Sequence, residues 1–239
     1  MPTSSPNQSI MATGGKTGSK CQDAASTAEN LPDYDPNLPQ PTCRKELLKH
    51  WINITLNAKT ANKFLWVAGD GATVSRKTDD LTCPVLETPD RYEHVPQILC
   101  KEGIEGFRAY WEVQCSGWVV VGLTFEGAAR RGCGGPTGLG ENDDSWCLGW
   151  GGSHYQVWYN GVNKEIWDKP QAAVLGVYLD QPAGILNFYA VQDQALAEGS
   201  GVTKEVLLLY QIKSSFRGKM FPGFWIGQKS SCVMLKKEE

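Results

Sequence analysis

The sequence lacks any apolar run long enough to cross a bilayer, because no stretch of about 18 consecutive apolar residues occurs. The first twenty residues, MPTSSPNQSIMATGGKTGSK, also lack the apolar segment of a secretory signal. The first absence argues against a helical membrane span, and the second favours an intracellular chain. We therefore expect a cytoplasmic protein, unless the chain is a fragment or leaves the cell by another route.

The sequence is also poor in features that would indicate nucleic-acid binding, metal binding or catalysis. Its net charge is −3 and its basic residues are scattered, so no basic patch for nucleic acid is visible. No C-x2-C pair, Cys/His cluster or Ser/His/Asp spacing occurs, and there are only three histidines. The glycine-rich stretch 127–142 lacks the Lys-Ser/Thr ending of a phosphate-binding loop. We predict no metal, no cofactor and no enzymatic activity.

The eight cysteines have wide and irregular spacings, which does not resemble a disulfide framework. Cys100, Cys115 and Cys147 fall in apolar, strand-like segments, where a free thiol behaves as a small hydrophobic side chain. In an intracellular chain these cysteines are expected to be reduced and structural.

The sequence is rich in turn residues and in large aromatic residues. It contains 26 Gly and 13 Pro, together with nine Trp, eight Tyr and seven Phe. This composition favours an all-β fold with many turns and a core rich in aromatic side chains. About twelve strand-like segments recur at roughly 8–12-residue spacing, which is typical of a β-sandwich.

The most informative stretch is 175–189, LGVYLDQPAGILNFY. Two alternating apolar segments flank residues 180–184, in which Pro restricts φ, Gly permits positive φ, and Asp180 can accept from the backbone of the turn. The pattern predicts a β-hairpin. Further hairpins are predicted around Gly69–Gly71 and Asn160–Gly161, and two strands are predicted at 106–115 and 117–125.

Residues 1–42 form a compositionally distinct leader that is rich in Ser, Thr, Gly, Pro, Asn and Gln. We predict that this leader is a disordered linker and that a domain occupies residues 43–239. The segment 43–51, CRKELLKHW, predicts a short N-terminal helix with Thr42 as its N-cap.

Four segments occur in an order that resembles the PRY-SPRY domain: AYWEV at 109–113, NDDSW at 142–146, LDQPAGILNFY at 179–189 and FPGF at 221–224. Upstream, ITLNAKTAN at 54–62 resembles the start of PRY, usually LTLDPNTAN, with Asn57 and Ala58 in place of Asp-Pro. The resemblance places PRY at about 45–100 and SPRY at about 101–239. The amino-acid sequences of the loops are similar to those of fish tripartite-motif proteins, stonustoxin-type subunits and fish innate-immune receptors.

The resemblance implies a bent, two-sheet antiparallel β-sandwich that binds a protein partner through loops at one end. It implies a substrate-recognition role in a tripartite-motif-type ubiquitin ligase pathway or in innate immunity, in association with ligase machinery. The alternative is the C-terminal targeting domain of a stonustoxin-like pore-forming subunit or of a fish innate-immune receptor.

Site residues follow from the same resemblance and, for Trp225, from its position beside a turn. The expected partner-binding residues are Arg130, Arg131, Trp150, His154, Tyr155 and Trp225. The expected scaffold residues are Trp111, Glu112, Trp146, Leu179, Asp180, Gly184, Phe188 and Tyr189. Two alternatives stay open from the residues alone: Arg130 and Arg131 can form a solvated loop tip, and Trp167 and Trp225 can close the ends of the sandwich.

Overall fold

A computed structural model describes residues 32–84, 88–132, 135–195 and 201–238. Most of the predicted leader, residues 1–31, lies outside the described residues. The described residues form thirteen strands, one short α-helix and two 3₁₀ turns, at Leu48–His50 and Gly69–Gly71. Their bounds are α1 Arg44–Leu47, β1 Leu65–Ala68, β2 Thr73–Arg76, β3 Gln97–Leu99, β4 Arg108–Ser116, β5 Val119–Phe125, β6 Ser145–Trp150, β7 Tyr155–Tyr159, β8 Val162–Ile166, β9 Val174–Asp180, β10 Ile185–Ala195, β11 Val202–Lys213, β12 Met220–Ile226 and β13 Ser230–Met234.

The strands form two antiparallel sheets that pack face to face. One sheet has seven strands in the order β1-β2-β13-β4-β9-β10-β11, and the other has six in the order β3-β12-β5-β6-β7-β8. Alternate residues of both sheets point into one apolar core, as expected for a sandwich. The all-β sandwich predicted from the sequence is confirmed.

The hairpin predicted at 175–189 forms from β9 and β10, with Leu179 opposite Leu186. Asp180 Oδ1 accepts a hydrogen bond from the backbone N–H of Ala183 at 3.1 Å, which stabilises the turn. Gly184 has φ +68°, and a Cβ at this position would lie 2.4 Å from the carbonyl oxygen of Ser214. Glycine is therefore required here for its conformation and for space.

Strands β4 and β5 follow each other in the chain but belong to different sheets. The chain crosses from one sheet to the other at Ser116–Gly117–Trp118, so the two strands do not form a hairpin. Gly117 has φ +76° at this crossing. The crossing places Trp118 immediately before β5, an interior strand of the six-stranded sheet, next to the turn between β12 and β13.

The aromatic residues of the sequence motifs fill the core. Trp111 is fully buried, Phe188 is 1% exposed and Trp146 is 6% exposed. Trp146 packs edge-on against Phe216 with ring centroids 4.9 Å apart. Tyr189 is also buried, in a smaller cluster behind the seven-stranded sheet.

Two buried arginines, Arg44 and Arg108, connect the N-terminal segment to β4. Arg44 Nε donates to Glu112 Oε1 at 2.7 Å, and Arg44 Nη2 donates to Glu112 Oε2 at 2.9 Å. Arg108 Nε lies 2.8 Å from Asp180 Oδ2, and its guanidinium also donates to the carbonyl of Leu38 at 2.7 Å. The end of the predicted leader thus contacts the sandwich, and the domain boundary at residue 42 stays a prediction.

The N-terminal helix differs from the sequence prediction in its cap and its length. Its N-cap is Cys43, which makes no side-chain cap hydrogen bond, and the helix tightens to a 3₁₀ turn over Leu48–His50. Thr42 instead donates from its backbone N–H to Glu46 Oε2 at 2.7 Å. The prediction of Thr42 as N-cap is wrong, because Glu46 reaches back to the chain that enters the helix.

Candidate functional site

The outer face of the six-stranded sheet carries a second, smaller apolar cluster. Since side chains alternate along a strand, Val120, Cys147, Trp158 and Trp225 point away from the main core. Leu139, from the glycine-rich loop, packs against Val120 and Cys147, and the two tryptophans lie beside it. The loop therefore folds over the sheet and does not project freely into solvent.

Gln97 of β3 holds this loop in place. Its buried side-chain amide donates to the carbonyl of Thr137 at 3.0 Å and accepts from the N–H of Leu139 at 2.6 Å. Gly140 has φ +83°, and a Cβ there would lie 2.4 Å from the Cβ of Trp158. The absence of a side chain at Gly140 thus allows this part of the loop to pack closely on the sheet.

A cleft of about 230 Å³ opens beside Leu139. We call it the tryptophan cleft, and its main lining residues are Gln97, Trp118, Leu139, Glu141, Trp158 and Trp225. This volume is smaller than the roughly 300–1,000 Å³ of most small-molecule sites. It suits one or two side chains of a protein partner.

Trp118 and Trp225 form the rim of the tryptophan cleft. Their ring centroids are 5.2 Å apart at an interplanar angle of 59°. Trp118 is 50% exposed, whereas Trp225 is partly buried. The N–H of Trp118 donates to Ser230 Oγ at 2.9 Å, and its carbonyl accepts from the N–H of Gly227 at 2.8 Å. The backbone that carries the exposed ring is therefore held in place before any partner arrives.

A second cleft that also borders Trp118 is lined by Trp150, Gly151 and Gln171. Trp150 is partly exposed and packs edge-on against Tyr155, with ring centroids 4.9 Å apart. Tyr155 itself is fully buried, and its hydroxyl accepts from the N–H of Ala172 at 2.9 Å. The prediction that Tyr155 contacts a partner is therefore corrected: it supports Trp150 from inside the core.

His154 lies under an exposed aromatic ring. It stacks on Trp167 with centroids 3.8 Å apart and an angle of 26°, and Trp167 is 64% exposed. Its ring nitrogens lie 2.8 Å from Ser153 Oγ and 3.7 Å from Glu165 Oε1. His154 is 9% exposed, so Trp167 presents the larger surface at this place. Trp167 does not close the end of the sandwich.

Arg130 and Arg131 lie on a separate part of the loop. Arg130 Nη1 is 3.3 Å from Asp90 Oδ1, and Arg131 Nη2 donates to the carbonyl of Thr88 at 2.8 Å. Arg131 is also 4.0 Å from Glu93 Oε2. Exposed ion pairs of this kind contribute little to stability, so both cations are available for exchange with an acidic partner.

Sequence reasoning missed Trp118, Trp158, Leu139 and Gln97 as site residues. The signal for Trp158 was present, because it alternates with core residues along its strand, as the predicted Trp225 does. Trp118 precedes β5, and its position depends on the crossing between sheets. Nothing local in the sequence indicates the contact between Gln97 and a loop forty residues away.

The described residues contain no group of three or more His, Cys, Asp or Glu side chains placed to hold a metal ion. Nor is any helix in the described part of the chain long and apolar enough to cross a membrane. Burial raises the pKa of the Cys147 and Cys100 thiols, which disfavours their reactive thiolate forms. The arrangement offers aromatic and charged contact surface.

Comparison with models of protein families identifies the family to which the chain belongs. The profile of the SPRY-associated domain, PRY, matches residues 54–104, and that of the SPRY domain matches residues 108–238. The chain belongs to the PRY-SPRY family. In this PRY-SPRY chain, Gln97 belongs to the PRY part and Leu139 to the SPRY part, so the tryptophan cleft is built from both.

Individual relatives share the domain at moderate identity. The chain is 28% identical over 203 residues to mouse tripartite motif-containing protein 16 and 30% identical over 203 residues to the stonustoxin beta subunit of Synanceia horrida. It is also 32% identical over 179 residues to the mouse E3 ubiquitin-protein ligase TRIM47. These alignments cover 84%, 84% and 71% of the PRY-SPRY chain but only 34%, 27% and 27% of the relatives.

The fold also agrees with a solved PRY-SPRY structure. The crystal structure of the TRIM65 PSpry domain superposes with a TM-score of 0.69 at 22% identity, covering 84% of this chain and 99% of that one. The match shows that the two proteins share the β-sandwich fold.

Proposed function

We propose that this PRY-SPRY domain recognises a protein partner through the tryptophan cleft and the clefts beside it. The observation that carries the proposal is the half-exposed Trp118, whose ring packs at a tilt against Trp225 above an apolar floor. Tryptophan is enriched among the residues that contribute most to binding energy at protein interfaces. An exposed ring in a fixed position loses little entropy on binding.

The chemistry of the cleft indicates the kind of partner. Its floor, Val120 and Leu139, is apolar, and its volume suits an aliphatic or aromatic side chain. The exposed carboxylate of Glu141 lies at the rim and favours a positively charged or amide neighbour in the partner. Arg131 favours an acidic or phosphorylated group further along the same segment.

The biological setting that we propose is substrate recognition in a tripartite-motif-type ubiquitin ligase pathway in the cytoplasm, including innate-immune pathways. It is supported by similarity to a tripartite-motif protein and to a relative named as an E3 ubiquitin-protein ligase. In this proposal the domain chooses the partner, and other parts of the machinery transfer ubiquitin. Purified chain supplied with E1, E2 and ubiquitin is expected to transfer none, and self-sufficient transfer would contradict the proposal.

A second setting has a specific observation in its favour. Over 84% of its own length, the chain is 30% identical to a stonustoxin subunit. In that setting the domain would be a C-terminal targeting module of a toxin-like subunit or an innate-immune receptor. The partner would then be a surface protein of a target cell, and the same cleft would bind it.

The experiment is affinity capture with the full chain, followed by affinity measurement on the captured partner. Replacing both Trp118 and Trp225 by alanine should weaken binding by about 30-fold or more, which corresponds to roughly 2 kcal/mol. The matched control is Trp66→Ala, a partly buried tryptophan of the other sheet. Equal binding by the cleft variant and wild type, with both folded, would reject the tryptophan cleft.

The two arginines are tested separately. Arg130→Ala combined with Arg131→Ala should weaken capture while leaving the melting temperature close to that of wild type, because their ion pairs are exposed. A large loss of melting temperature would instead assign the pair a structural role.

A further inference from the structure

Two cysteines face each other on neighbouring strands of the seven-stranded sheet. Cys115 near the end of β4 is the register partner of Cys232 in β13, although 117 residues separate them in sequence. Their sulfur atoms are 3.9 Å apart. Neither the spacing of the cysteines nor the proposed binding function assigns a role to this pair.

The backbone pattern shows which kind of strand pair they form. The N–H of Cys115 donates to the carbonyl of Ala173 at 2.7 Å, on the side away from β13. Three residues along, the N–H of Leu235 donates to the carbonyl of Glu112 at 3.1 Å. Since hydrogen-bonded and non-hydrogen-bonded pairs alternate, Cys115 and Cys232 form a non-hydrogen-bonded pair.

This geometry is compatible with a disulfide. Facing residues of a non-hydrogen-bonded pair have Cα atoms about 4.5 Å apart, which lies within the roughly 4.4–6.8 Å range of disulfides. The sulfur atoms must close from 3.9 Å to about 2.05 Å. Rotation about the side-chain bonds brings them together, and the strands need not separate.

The two thiols differ in access to solvent. Cys115 is partly exposed and is followed by the exposed residues Ser116 and Gly117. Cys232 is fully buried, and burial raises its pKa well above the ordinary value. An oxidant in solution therefore reaches Cys115 first, and Cys232 is the thiol held next to it.

We propose that Cys115 and Cys232 are a site of reversible oxidation, at which a peroxide converts the two thiols into one disulfide. The Cys115 thiolate attacks a peroxide oxygen and becomes a sulfenic acid, and hydroxide leaves and takes up a proton to form water. The Cys232 sulfur then displaces the sulfenic hydroxyl group, which leaves with the Cys232 proton as a second water. The two sulfurs lose two electrons, and hydrogen peroxide gains them.

The test is peptide mapping of the full chain after hydrogen peroxide treatment and alkylation of the remaining thiols. Trypsin places the two cysteines in the peptides Ala109–Arg130 and Ser230–Lys236. The expected product is these two peptides linked, lighter by two hydrogen atoms than their sum, and separated again by dithiothreitol. Cys83, a partly buried thiol elsewhere in the chain, is the internal control and should stay alkylatable at the same peroxide dose.

Two variants keep the outcome decisive. Cys115→Ser should abolish the linked peptide and leave Cys232 available for alkylation after denaturation. Cys232→Ala should accumulate sulfenic acid at Cys115, trapped by dimedone in greater amount than in wild type. The proposal fails if folded wild-type protein shows both thiols alkylatable, or Cys115 oxidised to sulfinic acid without a link. If Cys232→Ala does not fold, the wild-type map alone decides.

Discussion

The side-chain oxygen of Gln97 accepts a hydrogen bond from the backbone N–H of Leu139 at 2.6 Å. This contact joins a strand in the PRY part of the chain to a loop in the SPRY part. Both groups are buried, and the same amide donates to the carbonyl of Thr137. One side chain thus satisfies two backbone groups of a loop that has few apolar side chains of its own.

Removal of this amide should loosen the loop. Gln97→Ala removes the acceptor of the buried Leu139 N–H and one hydrogen bond to the Thr137 carbonyl, which should cost about 1–3 kcal/mol of unfolding free energy. Amide hydrogen exchange over residues 135–142 should accelerate. Gln114→Ala, on an exposed strand position, is the control and should change neither measurement. Unchanged exchange at Leu139 in Gln97→Ala would contradict the role given to the amide.

The tryptophans of the chain should divide into scaffold and surface residues. Trp146→Ala removes a buried ring that packs on Phe216, and should cost about 3–5 kcal/mol in urea unfolding. Trp167→Ala removes a ring that is 64% exposed, and should change stability by only about 0.5 kcal/mol. Similar losses for both variants would mean that the packing described for Trp146 is incorrect.

The buried pair of Arg44 and Glu112 should be costly to break. Glu112→Leu leaves the Arg44 guanidinium with only the half-exposed Glu238 as a partner, and the unfolding free energy should fall by about 3 kcal/mol. The double variant with Arg44→Met should lose less than the sum of the two single variants. Lys204→Met, which breaks a more exposed pair with Glu238, should change stability by about 0.5 kcal/mol. Additive losses would show that Arg44 and Glu112 are not coupled.

His50 should make stability depend on pH near neutrality. Burial lowers the pKa of His50, and the positive charge of Arg108 lowers it further. The folded state therefore binds fewer protons than the unfolded chain below about pH 6.5, so stability falls as the pH decreases through that value. We expect urea unfolding to show a loss of stability from pH 7.5 to 5.5 that is smaller in His50→Asn.

The control for this pH dependence is His94→Asn, because the His94 side chain is 47% exposed. This variant should lose as much stability between pH 7.5 and 5.5 as the wild type does. Carboxylates with lowered pKa, such as Glu46 and Glu238, release their stabilisation only at more acidic pH and lie outside the tested window. The same pH slope in wild type and His50→Asn would refute the assignment to His50.

The sequence was sufficient for the hairpins because their signals are local. Residues 180–184 contain a carboxylate for the turn amides and a glycine for positive φ, and the structure uses both. The turn at Asn160–Gly161 likewise has positive φ at both residues. The cap of the first helix was predicted incorrectly at Thr42, since the helix begins after Cys43 and the N–H of Thr42 donates to Glu46, four residues further along.

By itself, therefore, the sequence determined the fold class, the family resemblance and the core aromatic residues of the motifs, because alternation and turn chemistry act between near neighbours. Only the tertiary structure determined which side chains are exposed and which distant residues come into contact. It placed Tyr155 in the core, brought Trp118 beside Trp225, and set Cys115 against Cys232. The two pairings depend on which segments become neighbours in space, because the paired residues are more than a hundred positions apart in the sequence. That choice arises from packing the two sheets on one core, and no local pattern in the chain specifies it.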